Sequence, residues 1–228
     1  MNGEKQMSDA FRTAAILAAA GGFLETYTFL LHGHVFANAQ TGNIALCGMA
    51  IAHGDATEAV KYLTPVLSFA AGVGFVEIVR LRARTLSRLH WRQLMVLTEA
   101  AILAICALLP SGTADMTANL IVSVACALQA QTFRKVHDAP YASTMCTGNL
   151  RSLTLTLIAW RRTNERNAGM RALHLAGVIG AFLSGAAIAL PVVSACGAKA
   201  VSAPIALLLA AVALMAIRPS ARDFGQIG

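Results

Sequence analysis

The sequence predicts an all-α integral membrane protein that forms one membrane domain over residues 1–228, and three observations support this. Of its 228 residues, 57% are hydrophobic and only 13% are charged, whereas a soluble domain carries about 25% charged residues. Several apolar runs approach the roughly 20 residues that a helix needs to cross a bilayer. The tripeptide Thr-Gly-Asn also occurs in both halves, as Thr41-Gly42-Asn43 and as Thr147-Gly148-Asn149, which indicates an internal repeat.

The charge and cysteine patterns exclude other classes of protein. The formal net charge is +7, but the basic residues cluster beside apolar segments, so a nucleic-acid partner is not expected. The five cysteines are odd in number and form no Cys-x-x-Cys pair, which favours small buried residues over disulfides or metal ligands. The first apolar run is long and contains Glu25, so a cleavable signal peptide is not expected.

The first half of the repeat, residues 13–109, contains three predicted membrane crossings, at residues 13–31, 62–79 and 93–109. The first crossing is interrupted by Gly21-Gly22, carries Glu25 and precedes the first Thr-Gly-Asn segment. The second crossing has Pro65 in its first turn, where proline is tolerated. A basic loop at residues 80–92 joins it to the third crossing.

The second half, residues 117–217, repeats this plan, with predicted crossings at residues 117–133, 172–193 and 201–217. The second Thr-Gly-Asn segment ends at Trp160, and a basic loop at residues 161–171 follows it. Alignment of the two halves sets Gln129 opposite Glu25, and it matches Phe69-Ala-Ala-Gly72 with Phe182-Leu-Ser-Gly185. Such self-similarity is typical of internally duplicated transporters.

The distribution of arginine and lysine predicts that each Thr-Gly-Asn segment dips into the membrane and returns. With six full crossings and a cytoplasmic N-terminus, both basic loops and the C-terminal tail lie inside, as the positive-inside rule requires. Eight crossings would place the five arginines between Arg80 and Arg92 outside. Three crossings per half is an odd number, so the halves run in opposite directions. The prediction is a 3+3 inverted repeat with both termini cytoplasmic.

Each Thr-Gly-Asn segment is predicted to start a half-helix whose N-terminus faces the centre of the membrane. Residues 41–52 would form about 18 Å of helix, which is about half of a roughly 30 Å hydrocarbon core. Two such helices entering from opposite faces would present free N–H groups and positive dipole ends, which favour an anion or a polar solute. Alternatively, threonine and asparagine simply cap short packed helices.

Four sequence segments carry a resemblance that covers nearly the whole chain: Gly21-Gly-Phe-Leu-Glu25, Phe36-Ala-Asn-Ala-Gln-Thr-Gly-Asn43, Ala127-Leu-Gln129 with Phe133-Arg-Lys135, and Tyr141-Ala-Ser-Thr-Met-Cys-Thr-Gly-Asn-Leu-Arg151. In these segments the chain resembles the YoaK-like family of uncharacterised bacterial inner-membrane proteins, a domain of unknown function. That family typically has aspartate where this chain has Glu25, so the carboxyl group here is on a longer side chain. The resemblance implies a location in the bacterial inner membrane and no established substrate.

Ionisable residues inside predicted crossings are functional candidates because charge is costly there. Glu25 is expected either to carry a coupling proton or to pair with Arg151 or a hydroxyl group. Arg151, whose counterpart in the first half is Ala45, suits a carboxylate or a phosphate. Glu99 lies close to the basic face, so we expect it to snorkel or to pair at the surface.

Three further patterns are interpreted as structural. Glu77 is expected to pair with a neighbouring arginine at the interface. His32 and His34 flank the first Thr-Gly-Asn segment, and we expect interfacial polar roles because a two-residue spacing alone is weak evidence for a metal site. The spacing of small residues from Gly180 to Ser184 indicates close helix packing.

The sequence contains no His-Glu-x-x-His, no phosphate-binding Gly-Lys-Ser/Thr loop and no nucleophile elbow, so we expect neither an enzyme nor a cofactor or metal. We interpret it as a small-solute channel or secondary transporter of the lipid bilayer, carrying a small polar or anionic solute. The candidate binding residues are Thr41, Gly42, Asn43, Thr147, Gly148, Asn149, Glu25, Gln129 and Arg151. The alternatives are a non-transporting membrane scaffold or partner subunit and an intramembrane enzyme using Glu25 and a histidine; the oligomeric state is left open.

Overall fold

The computed structural model describes residues 11–82, 88–110, 112, 114–133, 135–136, 139–140 and 146–216. Within these ranges the regular secondary structure is helical, apart from one minimal strand pair. The helices are α1 (Phe11–Leu31), α2 (Gln40–Ala52), α3 (Ala56–Arg82), α4 (Arg88–Cys106), α5 (Asp115–Thr132), α6 (Cys146–Thr163), α7 (Arg166–Cys196) and α8 (Ser202–Ala216), with a 3-10 helix at Gly197–Val201. Strands β1 (Lys135–Val136) and β2 (Ala139–Pro140) pair antiparallel between α5 and α6.

Three stretches of the described chain are long and apolar enough to cross a membrane, namely Phe11–Leu31, Ala56–Arg82 and Arg166–Ala216. The last stretch contains both α7 and α8. Large apolar side chains are exposed on α3 and α7, including Leu67, Phe75, Leu183 and Ile188, as expected for helices whose outer face meets lipid. The predicted class, an all-α membrane protein, is therefore confirmed.

Helices α1 and α7 run parallel, and so do α3 and α5. The ring of Phe11, at the start of α1, stacks on His174 near the start of α7, with 5.0 Å between ring centroids. At the other end of this pair, the Tyr27 hydroxyl donates to the carbonyl of Ala198 at 3.2 Å. In the second pair, Gln131 near the end of α5 donates to Glu77 near the end of α3 at 3.0 Å.

Helices α1 and α5 run antiparallel. The Gln129 amide, near the end of α5, donates to the carbonyl of Leu17 near the start of α1 at 3.0 Å. The Asn119 amide, near the start of α5, donates to the carbonyl of His32 just past the end of α1 at 2.9 Å. These two central helices are the ones that the sequence alignment matches with each other.

The packing pairs of the two halves correspond to one another. Helix α1 packs on α7 as α5 packs on α3; α2 packs on α3 as α6 packs on α7; and α1 packs on α8 as α5 packs on α4. Helices α4 and α8, the last of each half, pack on each other. Each of these α-helix contacts in one half therefore has a counterpart in the other.

Matching glycines allow the two main pairs to approach closely. A methyl group added to Gly185 on α7 would overlap the backbone carbonyl of Ala19 on α1. A methyl group added to Gly72 on α3 would lie 2.7 Å from the Ala127 side chain of α5. Gly72 and Gly185 are the two glycines aligned from the repeated Phe-x-x-Gly sequence. Close packing by small residues is a usual way to join helices in membranes.

The spacing from Gly180 to Ser184 was wrongly interpreted as a packing motif. Nothing lies within 4 Å of a methyl group added at Gly180, and the exposed Ser184 hydroxyl donates to the Gly180 carbonyl of its own helix at 2.8 Å. The glycines of α7 that do approach α1 are Gly177, beside the ring of Phe11, and Gly185, beside the backbone of Ala19.

The helices extend into both regions that the sequence predicts to be basic loops. Helix α3 continues through Arg82 and α4 begins at Arg88, so both ends of the predicted basic loop at residues 80–92 are helical; residues 83–87 lie outside the described residues. The basic loop at residues 161–171 is also mostly helical, since α6 ends at Thr163 and α7 begins at Arg166. Arginine is a good helix former, which lets both helices extend into the basic regions.

Two glycine-to-alanine changes in α7 test the close crossing. We expect Gly185→Ala to lower stability by about 1–3 kcal/mol, because the added methyl group overpacks the contact with α1. Gly180→Ala is the matched control, with open space around it and an alanine that favours helix by about 1 kcal/mol. Thermal unfolding of both purified variants measures the difference, and equal stability would contradict the assigned crossing.

Candidate functional site

The carboxylate of Glu25 holds the segment that leads into α2. One oxygen accepts a hydrogen bond from the backbone N–H of Asn38, and the other accepts one from Ala39, each at 3.0 Å. Glu25 lies nearly two turns before the end of α1, or about 9 Å along its axis. The chain therefore turns back after α1, and α2 begins beside the body of α1 rather than beyond its end.

The turn that brings the chain back lies at Gly33 and His34, which have positive φ angles of 74° and 57°. A second bond supports the returning segment, since the Ala37 N–H donates to the Thr28 hydroxyl at 3.3 Å. Lys61, near the start of α3, lies beside Gly33. Helix α3 thus starts at the same end of the bundle at which α1 finishes, so α2 runs from beside α1 back out toward that end.

The first Thr-Gly-Asn sequence lies in the first turn of α2. Asn43 is fully buried, and its amide donates to the Gln40 side chain at 3.1 Å and to the carbonyl of Phe36. Within the described chain its side-chain oxygen, Oδ1, accepts no hydrogen bond. Thr41 is exposed. The start of α2 thus combines an exposed hydroxyl with a buried amide oxygen.

The expected capping role of threonine and asparagine in α2 is wrong. The N-cap residue is Ala39, and its own side chain makes no capping hydrogen bond. The Glu25 carboxylate instead takes the N–H groups of Asn38 and Ala39, which would otherwise lack partners at this end. An acceptor from a neighbouring helix has replaced a local cap.

The second Thr-Gly-Asn sequence has the same arrangement at the start of α6. Thr147 is exposed, and Asn149 is 2% exposed. Cys146, the first residue of α6, lies within electrostatic range of the Glu25 carboxylate. Arg151 is exposed on α6. Glu25 thus bonds to the start of α2 and lies within electrostatic range of the start of α6.

Gly42 and Gly148 both lie inside helices. A methyl group added at Gly148 would meet nothing within 4 Å, and one added at Gly42 would make an ordinary 3.6 Å contact with Phe36. The tight turn before α2 lies earlier, at Gly33.

Glu25 and Gln129 are not brought together. The Gln129 amide donates to the Leu17 carbonyl, and Leu17 is about 12 Å from Glu25 along the axis of α1. Glu25 also accepts backbone N–H groups rather than pairing with Arg151 or a hydroxyl, the two structural partners that were expected.

Glu99 is the residue that sequence reasoning placed wrongly. It is 0% exposed, and within the described residues neither carboxyl oxygen has a hydrogen-bond partner. The expectation that it snorkels or pairs near the basic face is therefore wrong. Its spacing from Val96 and Leu103 puts it on the buried face of α4, and this spacing was the available sequence signal.

His32, His34 and Glu77 each have a hydrogen-bond partner of their own. His32 bonds to Asp115 through Nδ1 at 2.8 Å, whereas His34 bonds to the carbonyl of Phe29 at 2.9 Å. The two rings therefore share no ligand. In the part of the chain that is described, no three histidine, cysteine, aspartate or glutamate residues cluster as metal ligands. The expected pairing of Glu77 with Arg80 is confirmed, with Nε to Oε2 at 3.0 Å.

Comparison with known proteins gives a family. Residues 13–215 match the family described as "Protein of unknown function (DUF1275)". The chain belongs to the DUF1275 family. It is also 28% identical over 142 residues to the UPF0700 transmembrane protein YoaK of Bacillus subtilis (strain 168), a match that covers 61% of this chain and 63% of that protein. No solved structure matches.

Membership of DUF1275 confirms the resemblance seen in the sequence. The Bacillus subtilis relative is named as a transmembrane protein, in agreement with the apolar helices of this member. Membrane location is thus supported twice, whereas the family description names no activity.

Replacing Glu25 tests its structural role in this DUF1275 protein. Glu25→Gln retains one acceptor oxygen and replaces the other with an NH₂ group. That NH₂ group is a donor, so it cannot accept a hydrogen bond from the second backbone N–H. Because a hydrogen bond to a charged group contributes about 1.5–3 kcal/mol, we expect a loss of stability of that order and faster hydrogen exchange at Asn38 and Ala39.

Glu58→Gln is the matched control, because Glu58 pairs only locally with Lys61 at 3.0 Å and such surface pairs contribute about 0–1 kcal/mol. Thermal unfolding and amide exchange measured by mass spectrometry compare the two variants. Unchanged exchange at residues 38–39 in Glu25→Gln would contradict the assigned bonds.

Proposed function

We propose that this chain is a small-solute channel or secondary transporter of the bacterial inner membrane, built as a 3+3 inverted repeat. The antiparallel directions of α1 and α5, which the sequence repeat matches to each other, support the inversion. In this arrangement α1, α3 and α4 cross in the first half and α5, α7 and α8 in the second. Helices α2 and α6 enter from opposite faces and return.

The charge distribution supports an orientation with both termini cytoplasmic. Arg80 and Arg82 lie in the last turn of α3, and Arg161 and Arg162 lie in the last turn of α6. In the proposed topology all four arginines are on the inside, as the positive-inside rule favours. The opposite end of α1 and α5 carries the His32–Asp115 pair and would face outward.

The proposed solute site lies between the N-terminal ends of α2 and α6. The observation that carries this proposal is the pair of bonds from Glu25 to Asn38 and Ala39, because they start α2 inside the bundle. The proximity of Cys146 to the same carboxylate supports a nearby start for α6. The start of α6 offers N–H groups and a positive dipole end to a polar or anionic solute, whereas at α2 the Glu25 carboxyl group already accepts the N–H groups of Asn38 and Ala39.

Four side chains would line this site. Thr41 and Thr147 are exposed at the two helix starts, and the Asn43 oxygen is buried and available to a donor. Asn149 occupies the matching position in α6. Gly42 and Gly148 contribute by leaving open space, whereas Gln129 is committed to the α1 backbone and does not reach the site.

Arg151 favours an anionic solute. It lies about one turn into α6 and is exposed. If α6 begins near the middle of the membrane, an exposed guanidinium there requires water, protein or an anion, since lipid offers no partner. Guanidinium groups bind carboxylate and phosphate through paired hydrogen bonds. An anion between the two helix starts would satisfy this charge.

A distance measurement tests the shared site. Spin labels on Thr41→Cys and Thr147→Cys, both exposed positions, are placed on a background lacking the native cysteines. We expect their separation to be well under the roughly 30 Å thickness of the hydrocarbon core. A separation near that thickness would put the two helix starts at opposite faces and would contradict the proposal.

Solute flux tests the activity. Vesicles containing the protein are mixed with glycerol, urea, acetate or phosphate, and light scattering follows solute entry. We expect at least one anion to enter faster than into empty vesicles, and Arg151→Gln to reduce that rate about tenfold, the effect of losing one charged hydrogen bond. Arg162→Gln, at the far end of the same helix, is the matched control and should leave the rate unchanged.

If no tested solute enters faster than into empty vesicles, the transport proposal fails for these solutes. The alternative of a non-transporting scaffold or partner subunit would then be favoured. Equal loss of flux in Arg151→Gln and Arg162→Gln would contradict the assigned position of the anion.

A further inference from the structure

We propose that Glu99 is a proton-binding site in the interior of the bundle and that its proton couples solute movement to the proton gradient. The proton site stands on the burial of Glu99, whereas its coupling role rests on the transport function proposed above. Nothing in the family description or the relative's name assigns a role to this residue.

Among the described residues, no counter-ion pairs with Glu99. It is fully buried on α4, and across the described ranges both of its carboxyl oxygens lack hydrogen-bond partners. Helix α4 packs against α5, α8 and the 3-10 helix. Helix α8 contains no ionisable side chain, and Lys199 of the 3-10 helix is exposed.

Other charged groups near Glu99 cannot neutralise it. Cys126 on α5 lies within electrostatic range of both Glu99 and Glu25. A thiol or a carboxyl group carries no positive charge, so neither Cys126 nor Glu25 can serve as a counter-ion for Glu99. Arg92 lies about two turns away on the same helix, where its guanidinium is 6.0 Å from the ring of Phe133. A carboxylate buried without a partner is costly enough that such a group takes up a proton instead.

Glu25 differs from Glu99 in having hydrogen-bond partners. Both of its oxygens accept backbone N–H groups, which gives it a structural role at the start of α2. The two acidic residues of the interior therefore divide their tasks. Glu25 holds the start of α2, and Glu99 is left free to gain and lose a proton.

A polar stripe on α5 offers a route from Glu99 to the end of the bundle. Asp115, Asn119 and Ser123 follow at four-residue spacing, which places them on one face of the helix. Asp115 pairs with His32 at 2.8 Å. The Ser123 hydroxyl is fully buried and, in the described chain, makes no hydrogen bond. Ser123 is one turn from Cys126, so the stripe runs from the His32–Asp115 pair to the level of Glu99.

Infrared spectroscopy of the full-length protein in phospholipid vesicles tests the proton site directly. We expect the carbonyl band of a protonated carboxyl group at neutral pH, and we expect Glu99→Gln to remove the part of the band that Glu25→Gln leaves in place. Glu58→Gln, a surface control, should retain the whole band. An undiminished band in Glu99→Gln, or its absence from the unaltered protein, would overturn the proposal.

Glutamine is an appropriate replacement because it matches the shape of a neutral carboxyl group. Glu99→Gln should therefore unfold at the same temperature as the unaltered protein, and a large loss of stability would indicate that a charged carboxylate was needed. Ser123→Ala should retain the band but slow its loss after a jump to high pH. An unchanged rate would exclude the route along α5.

Flux measurements separate the coupling role from the transport function. With acetate or phosphate as the probe, an imposed proton gradient should accelerate entry into vesicles containing the unaltered protein. Glu99→Gln should lose this acceleration and keep its flux without a gradient. If no solute moves, the transport proposal fails while the infrared band still decides the proton site; if flux ignores the gradient, only the coupling role is wrong.

Discussion

The bonds between the Glu25 carboxylate and the backbone of Asn38 and Ala39 determine how the rest of the first half is arranged. They require the chain to fold back after α1, so α2 begins inside the bundle and α3 starts at the end where α1 finishes. A buried helix start needs acceptors for its free N–H groups. Here a side chain from the neighbouring helix supplies them, which frees the first turn of α2 to present Thr41 and Asn43.

Close contacts at two glycines, together with hydrogen bonds, hold the two halves together. Gly185 brings α7 against α1, and Gly72 brings α3 against α5. Each pair joins a helix of one half to a helix of the other, so neither half completes its packing alone. In a membrane, where apolar side chains gain little by leaving lipid, such close packing supplies much of the association between helices.

The two halves differ in their ionisable residues. Glu25 in one half is matched by Gln129 in the other, and Glu99 is buried without a partner on α4. Arg151 follows one Thr-Gly-Asn sequence and Ala45 follows the other. The two halves therefore have matching helix contacts, whereas Glu25, Glu99 and Arg151 each occur in one half only. A site at the junction of the halves would bind its solute through unequal contributions.

Local properties of the sequence determined the class of protein, the helix order and the starts of α2 and α6. Apolar length, charge distribution and the repeated Thr-Gly-Asn are properties of the linear sequence. The pairing of Glu77 with Arg80 was also predictable, because the two residues are about one helical turn apart. Only the tertiary structure decided that Glu99 is buried and Gly180 is not in contact. Those outcomes depend on how each helix is rotated toward its neighbours, which is set by packing between residues distant in sequence. For the same reason, the acceptor for the start of α2 could not be found near the helix itself.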